Sequence, residues 1–188
     1  GALRVGEDLR VAGAVRCDGS VRLQGDARIG WSLAAAQRLH CGGSLRVGGE
    51  FACAAAAHIL GHCTVGHNLQ VAGELDCAGG IKVGGDLHGG AAVHAERGLQ
   101  AEGDVECAGH LQVGWGVRAG GRIHAAGAIR AGESLRAGGI IAAGGAYGVY
   151  AGLAVPLPDW PTSAQVSASE TPARLLSGCW AGTHGATP

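Results

Sequence analysis

Aromatic residues are scarce in this 188-residue chain: one Phe, two Tyr and four Trp. Globular cores usually draw much of their buried area from such rings. The interior expected here is instead a narrow stack of aliphatic layers. No sign of charge prevails, because 14 basic residues face 15 acidic ones for a net charge of −1. That balance excludes strong overall attraction to nucleic acid or to an anionic membrane. It equally excludes an acidic mimic of DNA. No apolar run is long enough to cross a bilayer, so no membrane span is expected, and no signal peptide is visible. Lysine occurs once, as Lys82, among basic residues that are otherwise Arg. Methionine is absent altogether, so Gly1 is read as a processed end or as part of a longer chain. Proline numbers only five, and three of the five cluster at Pro156, Pro158 and Pro161.

Glycine, by contrast, numbers 37. Combined with little proline and no three-residue period, that abundance points to repeated tight turns rather than to collagen or disorder. The turns recur at a fixed interval. Residues 2 to 157 divide into 26 consecutive six-residue blocks without insertion or deletion. Every second position is apolar, from Leu3, Leu9 and Val15 to Leu153. Every fourth position is Val, Ile, Leu, Ala or Cys except Gly89. The third position is mostly Arg, His, Gln or acidic. Apolar–polar–apolar triplets follow the two-residue period of a short strand. Glycine pairs such as Gly42-Gly43 and Gly84-Gly85 then turn the chain, with positive φ the expected reason for their use. A short fixed period of this kind marks a solenoid.

The number of blocks per coil can be read from the third positions. Taking every third block yields Arg10, Arg28, Arg46, Thr64, Lys82, Gln100, Arg118, Arg136 and Ala154, a column with no acidic member. Taking every second block scatters the arginines. Three six-residue blocks per triangular coil are therefore expected. The fold class predicted is all-β, a single-stranded three-sided β-solenoid (β-helix) over residues 1–155. Residues 156–188 form a proline-punctuated linker and a C-terminal cap or tail, with Ala164–Ser169 alternating like one more strand. Ser32–Gln37 and Cys53–Leu60 lack paired glycines but keep the apolar register, so they are read as coils.

Six of the seven cysteines occupy inward positions: Cys17, Cys41, Cys53, Cys63, Cys77 and Cys107. Cys17 and Cys53, like Cys41 and Cys77, are two coils apart, about 9–10 Å at the spacing of paired strands. A disulfide requires Cα atoms within about 7 Å. These thiols are expected to be unpaired small hydrophobes, which favours a cytoplasmic setting.

Blocks such as Asp8-Leu-Arg-Val-Ala-Gly13, Ser44-Leu-Arg-Val-Gly-Gly49 and Glu74-Leu-Asp-Cys-Ala-Gly79 resemble bactofilins, bacterial polymer-forming cytoskeletal proteins. The resemblance covers residues 2 to about 155 and is one of pattern. It implies a right-handed triangular β-helix and nucleotide-free assembly through the coil ends. Two departures stand out: bactofilin cores are usually shorter and flanked by disordered tails, and this chain is richer in Gly, Ala and Cys. Hexapeptide acyltransferases also use six-residue blocks. Their inward pair runs small then large, whereas this chain runs large then small, as in Leu45-Arg46-Val47 and Leu75-Asp76-Cys77.

Candidate chemistry is sparse. No nucleophile–base pair, phosphate loop or paired carboxylates emerge at a defined spacing, so neither catalytic residue nor cofactor is expected. His40 and His58, one coil apart, are the candidate metal ligands; the competing reading is that an outward position simply takes a polar residue. His62, Cys63 and His67 lie close by in sequence, although Cys63 should point inward. The column Arg10, Arg28, Arg46, Lys82, Arg118 and Arg136 could bind an anionic surface or polymer, or merely solubilise a face. Thr64 is the one outward Thr, which excludes the Thr arrays of ice-binding faces. The function expected is a structural or scaffolding rod whose partner is itself, joined through Leu3 and Val5 at an uncapped first coil. Nucleic acid is not an expected partner. The alternative is a rigid spacer or binding module of a larger toxin, phage-fibre or defence protein, with other domains of a longer chain as partners.

Overall fold

A computed structural model describes residues 1–183; residues 184–188 of the expected tail lie outside the described part. The chain is an all-β parallel solenoid. Its first coil comprises β1 (Leu3–Val5), β2 (Leu9–Val11) and β3 (Val15–Cys17). Three-residue strands then recur once per block as far as Ile141–Ala143. Each pairs in parallel with the strand three blocks on, as in Leu3↔Val21, Leu9↔Ala27 and Val15↔Leu33. The strands stack into sheet A, begun by β1 and ten strands long, sheet B, begun by β2 and also of ten, and sheet C, begun by β3 and of eight. Coils of three sides and three blocks thus stand as the third-position column indicates. Ser32–Gln37 and Cys53–Leu60 continue the strand register without helix.

The inward pairs make one unbroken core. Leu39, Leu75, Leu111 and Leu135 are fully buried, and Phe51 is 1% exposed. Fourth positions from Ala119 to Ala143 are all alanine, and Ala119, Ala125, Ala131 and Ala137 remain buried. Gly89, the exception to the apolar fourth positions, also has a packing reason. A Cβ there would stand 2.6 Å from Val93 Cγ2, so the valine branch fills the missing methyl's place.

The corners correct one expectation. Among the described residues, positive φ occurs only at Gly152, Gly178 and Gly182, all beyond the regular coils. Corner glycines serve close approach instead. A Cβ on Gly48 would run into the Gly30 carbonyl oxygen of the coil before, and one on Gly66 into that of Gly48. Glu102 stands in the same column, so the constraint belongs to individual corners.

The register also ends earlier than the 26 blocks of the sequence suggest. Val149 pairs with Ile129, two positions beyond the three-block interval, and Val166 pairs with Leu135, further beyond it still. A turn at Gly144–Tyr147, closed by the Tyr147 N–H on the Gly144 carbonyl at 2.7 Å, makes the first shift. Tyr147 and Leu153, expected to point inward, are 45% and 57% exposed. The prolines seed helical turns, Leu157–Asp159 and Trp160–Ser163. Gln165–Ser167, Leu175–Ser177 and Cys179–Gly182 then return as strands and lengthen sheets A and B. They cover the C-terminal end of the core, where Ala151, Ala164, Val166 and Ala168 are buried. No helix among the described residues is long and apolar enough to cross a membrane.

Candidate functional site

The third position of every block, the middle of its strand, points outward, so each sheet displays one row of side chains at strand spacing. Sheet B carries Arg10, Arg28, Arg46, Thr64, Lys82, Gln100, Arg118 and Arg136 in register. Ser167 takes the next place, rather than Ala154, because of the shift after Ala143. At roughly 4.7–4.9 Å per strand the row runs about 34 Å. Like charges directly opposite one another are unfavourable in a sheet, and Arg10, Arg28 and Arg46 are three in succession. Among the described residues, side chains of the other two sheets meet carboxylates, and the cations of this row do not. His58 Nδ1 lies 3.6 Å from Asp76 on sheet A, His88 Nδ1 lies 3.6 Å from Glu106 on sheet C, and Arg122 engages Asp104 and Glu106 beside sheet C.

A trough of about 840 Å³ follows the row along the rod. One wall is the row itself. The floor is the first position of each block, which shrinks along the axis to Gly80, Gly98 and Gly116. The other wall is the corner between sheets A and B, where Arg97 and Trp115 project, the guanidinium 5.7 Å from the indole centre. Trp115 is 51% exposed. The carboxylates of the lining, Asp8 and Asp26, both lie at its N-terminal end.

Those first positions have a structural task that sequence reasoning missed. Asp8 Oδ1 accepts the backbone N–H of Asp26 at 2.9 Å, Asp26 Oδ1 that of Ser44 at 2.7 Å, and Ser44 Oγ that of His62 at 3.2 Å. His62 Nδ1 then accepts the Gly80 N–H at 2.9 Å. A second ladder beside sheet C runs from Asn68 through Asp86 and Asp104 to the Arg122 N–H. Each side chain satisfies a corner N–H that no strand partner reaches. An Asp, Asn or Ser recurring once per coil, as at Asp8–Asp26–Ser44, is the signal that could have revealed it. His62 accepts through Nδ1, so its proton sits on Nε2 in this arrangement.

The candidate metal ligands are neighbours, with His40 directly opposite His58 on sheet A. His58 also faces Asp76, and Asp76 is opposite His94. Among the described residues, no three His, Cys, Asp or Glu side chains converge to hold a metal ion. His62 belongs to the ladder, and Cys63 is buried inside the core, so the cluster seen in sequence is dispersed.

All seven cysteines are free. Cys41 and Cys77 are separated by the strand of Ile59, and Cys17 and Cys53 by that of Ala35. Several thiols reach a carbonyl of the preceding coil's corner, as with Cys53 to Gln37 at 3.1 Å and Cys77 to Gly61 at 3.2 Å. Burial raises the pKa of Cys41, Cys53, Cys63 and Cys77 and pushes Cys107 up to about 11. Such thiols are poor nucleophiles.

Leu3 and Val5 lie on β1, at the edge of sheet A. They are half-buried, as are Leu9, Val11 and Val15 of the same coil, whereas one coil further in Val21 and Leu23 are 1% and 0% exposed. In comparisons with known proteins, no family model, no curated protein and no solved structure matches this chain.

Proposed function

We propose that the chain is a rigid, non-enzymatic structural rod that associates with a second copy through its first coil. The observation that supports this is the contrast between its two ends. At one, β1, β2 and β3 each have a neighbour on a single side and leave five aliphatic side chains half-covered. Unpaired strand edges of this kind template further pairing. At the other, sheets A and B also end in edge strands, Leu175–Ser177 and Cys179–Gly182, but these pair in shifted register, and Ala151, Ala164, Val166 and Ala168 beneath them are fully buried. A contact between two first coils uses the same patch on both copies and closes as a dimer. Longer polymers need the C-terminal cover to move aside. The pattern resemblance to bactofilins supports the same reading. Replacing Leu3 and Val5 by Lys, followed by light scattering and negative-stain electron microscopy, tests it. Assembly should be lost while the circular dichroism spectrum is kept. Unchanged assembly in that variant refutes the proposal.

A spacer within a longer protein is the second reading. It is favoured by the three-block register, which runs through β1–β3 with no change of pattern. Preceding coils would then occupy the same edge. The length of the encoded open reading frame separates the two.

A further inference from the structure

We infer that the trough along sheet B is a binding site for single-stranded nucleic acid. The balanced net charge of −1 conceals a sorted surface. The outward row of sheet B holds only basic and neutral side chains, and its cations have no carboxylate partner among the described residues. Stacked like charges without counter-ions are a standing cost that a chain of phosphates relieves. From Lys82 onward the trough lining contains no acidic residue, and Arg97, on the opposite wall, adds a further cation. A ligand lying there has positive charge on both sides.

The floor and the corner favour a single strand over a broad anionic surface. Gly80, Gly98 and Gly116 line the trough between the basic row and the Arg97–Trp115 corner and add no side chains of their own. Trp115 stands on its rim, half-exposed, with Arg97 close beside it. An indole so placed offers a face on which a base stacks, while the phosphates follow the basic row. Cationic grooves that present an aromatic face hold single strands with little sequence preference, and here Trp115 supplies that face.

The test is fluorescence anisotropy of a labelled oligo-dT strand with the full chain, titrated at several salt concentrations. Binding should weaken steeply with salt, the log–log slope being about 0.7 for each phosphate neutralised. The double variant Lys82→Ser and Arg118→Ser should reduce both affinity and slope. Trp115→Ala should lower affinity about tenfold with the slope unchanged, since stacking releases no counter-ions. Trp31→Ala, outside the trough, should bind as the parent does. Arg4→Ser with Arg22→Ser removes the same charge from sheet A and should also bind as the parent does. All these positions face solvent, so melting curves should stay close to the parent's. The inference is overturned if oligo-dT does not bind at low salt, or if the sheet A pair weakens binding as much as the sheet B pair. It is also overturned if Trp115→Ala has no effect while heparin competes as well as oligo-dT per charge, for the surface then reads charge alone.

Discussion

The coils up to Ala143 and the segment after it belong to the same sheets but obey different rules. In the coils every strand meets its partner three blocks on, and no residue adopts positive φ. Beyond them the interval is no longer constant, two helical turns intervene, and the three positive-φ glycines of the described residues appear. The coils depend on identical stacking, so their tolerance is set by what the coil above and below leaves free. The later segment depends on particular turns, so its tolerance is set by local backbone conformation. Substitutions should therefore act differently in the two regions.

The largest difference should come from a charge placed inward. Leu75→Asp buries an unpaired carboxylate in the aliphatic stack at a cost of several kcal/mol. The contrasting site is Leu157, 73% exposed beyond the coils. Leu157→Asp should change stability by no more than about 0.5 kcal/mol. Thermal melting of the two variants decides it. Similar curves would mean that the inward register is wrong.

Alkali should come next, because several coil thiols act together. Their folded pKa values lie above the ordinary 9.0, with Cys107 at about 11. An unfolded chain would ionise these thiols first. Their contribution is therefore whole below the ordinary thiol value and is lost as pH climbs through the raised folded values. Urea midpoints measured across that alkaline range should fall accordingly. In the native protein at neutral pH, the partly exposed Cys179 should be alkylated first, and the other six only after denaturation. Mass spectrometry of the labelled peptides shows the order.

Glycine replacement should follow. Gly48→Ala drives a methyl into the Gly30 carbonyl. It should cost about 1–3 kcal/mol, as overpacking does. A Cβ at Gly145 meets no neighbouring atom. Gly145→Ala should therefore change stability by less than about 0.5 kcal/mol. Gly152→Ala combines positive φ with a clash against Ala164. Its cost, also about 1–3 kcal/mol, should fall on the C-terminal cover. Native-state hydrogen exchange resolves where each loss is felt.

The smallest effects should lie outside the core. Asp26→Ala leaves the Ser44 N–H without its acceptor. That loss should cost about 0.5–1.5 kcal/mol, whereas Asp26→Asn keeps an oxygen and most of the stability. Arg46→Ala should cost no more than about 0.5 kcal/mol. Equal urea midpoints for the two alanine variants would remove the ladder from the account.

Much of this was legible in the sequence because a solenoid repeats its constraints. Leu3, Leu9 and Val15 announce the inward face, and the arginine column fixes the length of a coil. The end of the register was hidden for a physical reason. A strand shifted by two residues keeps the same face inward. Val149 therefore fits the fourth position of a block just as well as the second position that it fills opposite Ile129. The purpose of the corner glycines was also hidden, since sequence shows which residue can adopt positive φ but not how near the next coil passes. The trough needed structure as well. Arg97 and Trp115 are sixth-position residues, and nothing in their spacing shows that they face the arginine row across a strip of glycine.

Parallel stacking along one axis also fixes how the rod would respond to pulling. The hydrogen bonds between coils lie along the rod, each coil holding only the next. Tension applied at Gly1 would peel the outermost coil first and leave the rest closed. Each coil released frees three six-residue blocks, or about 60 Å of contour length at full extension. A single molecule stretched from its N-terminal end should lengthen in equal steps of that size, then break the pattern where the irregular C-terminal strands take the load.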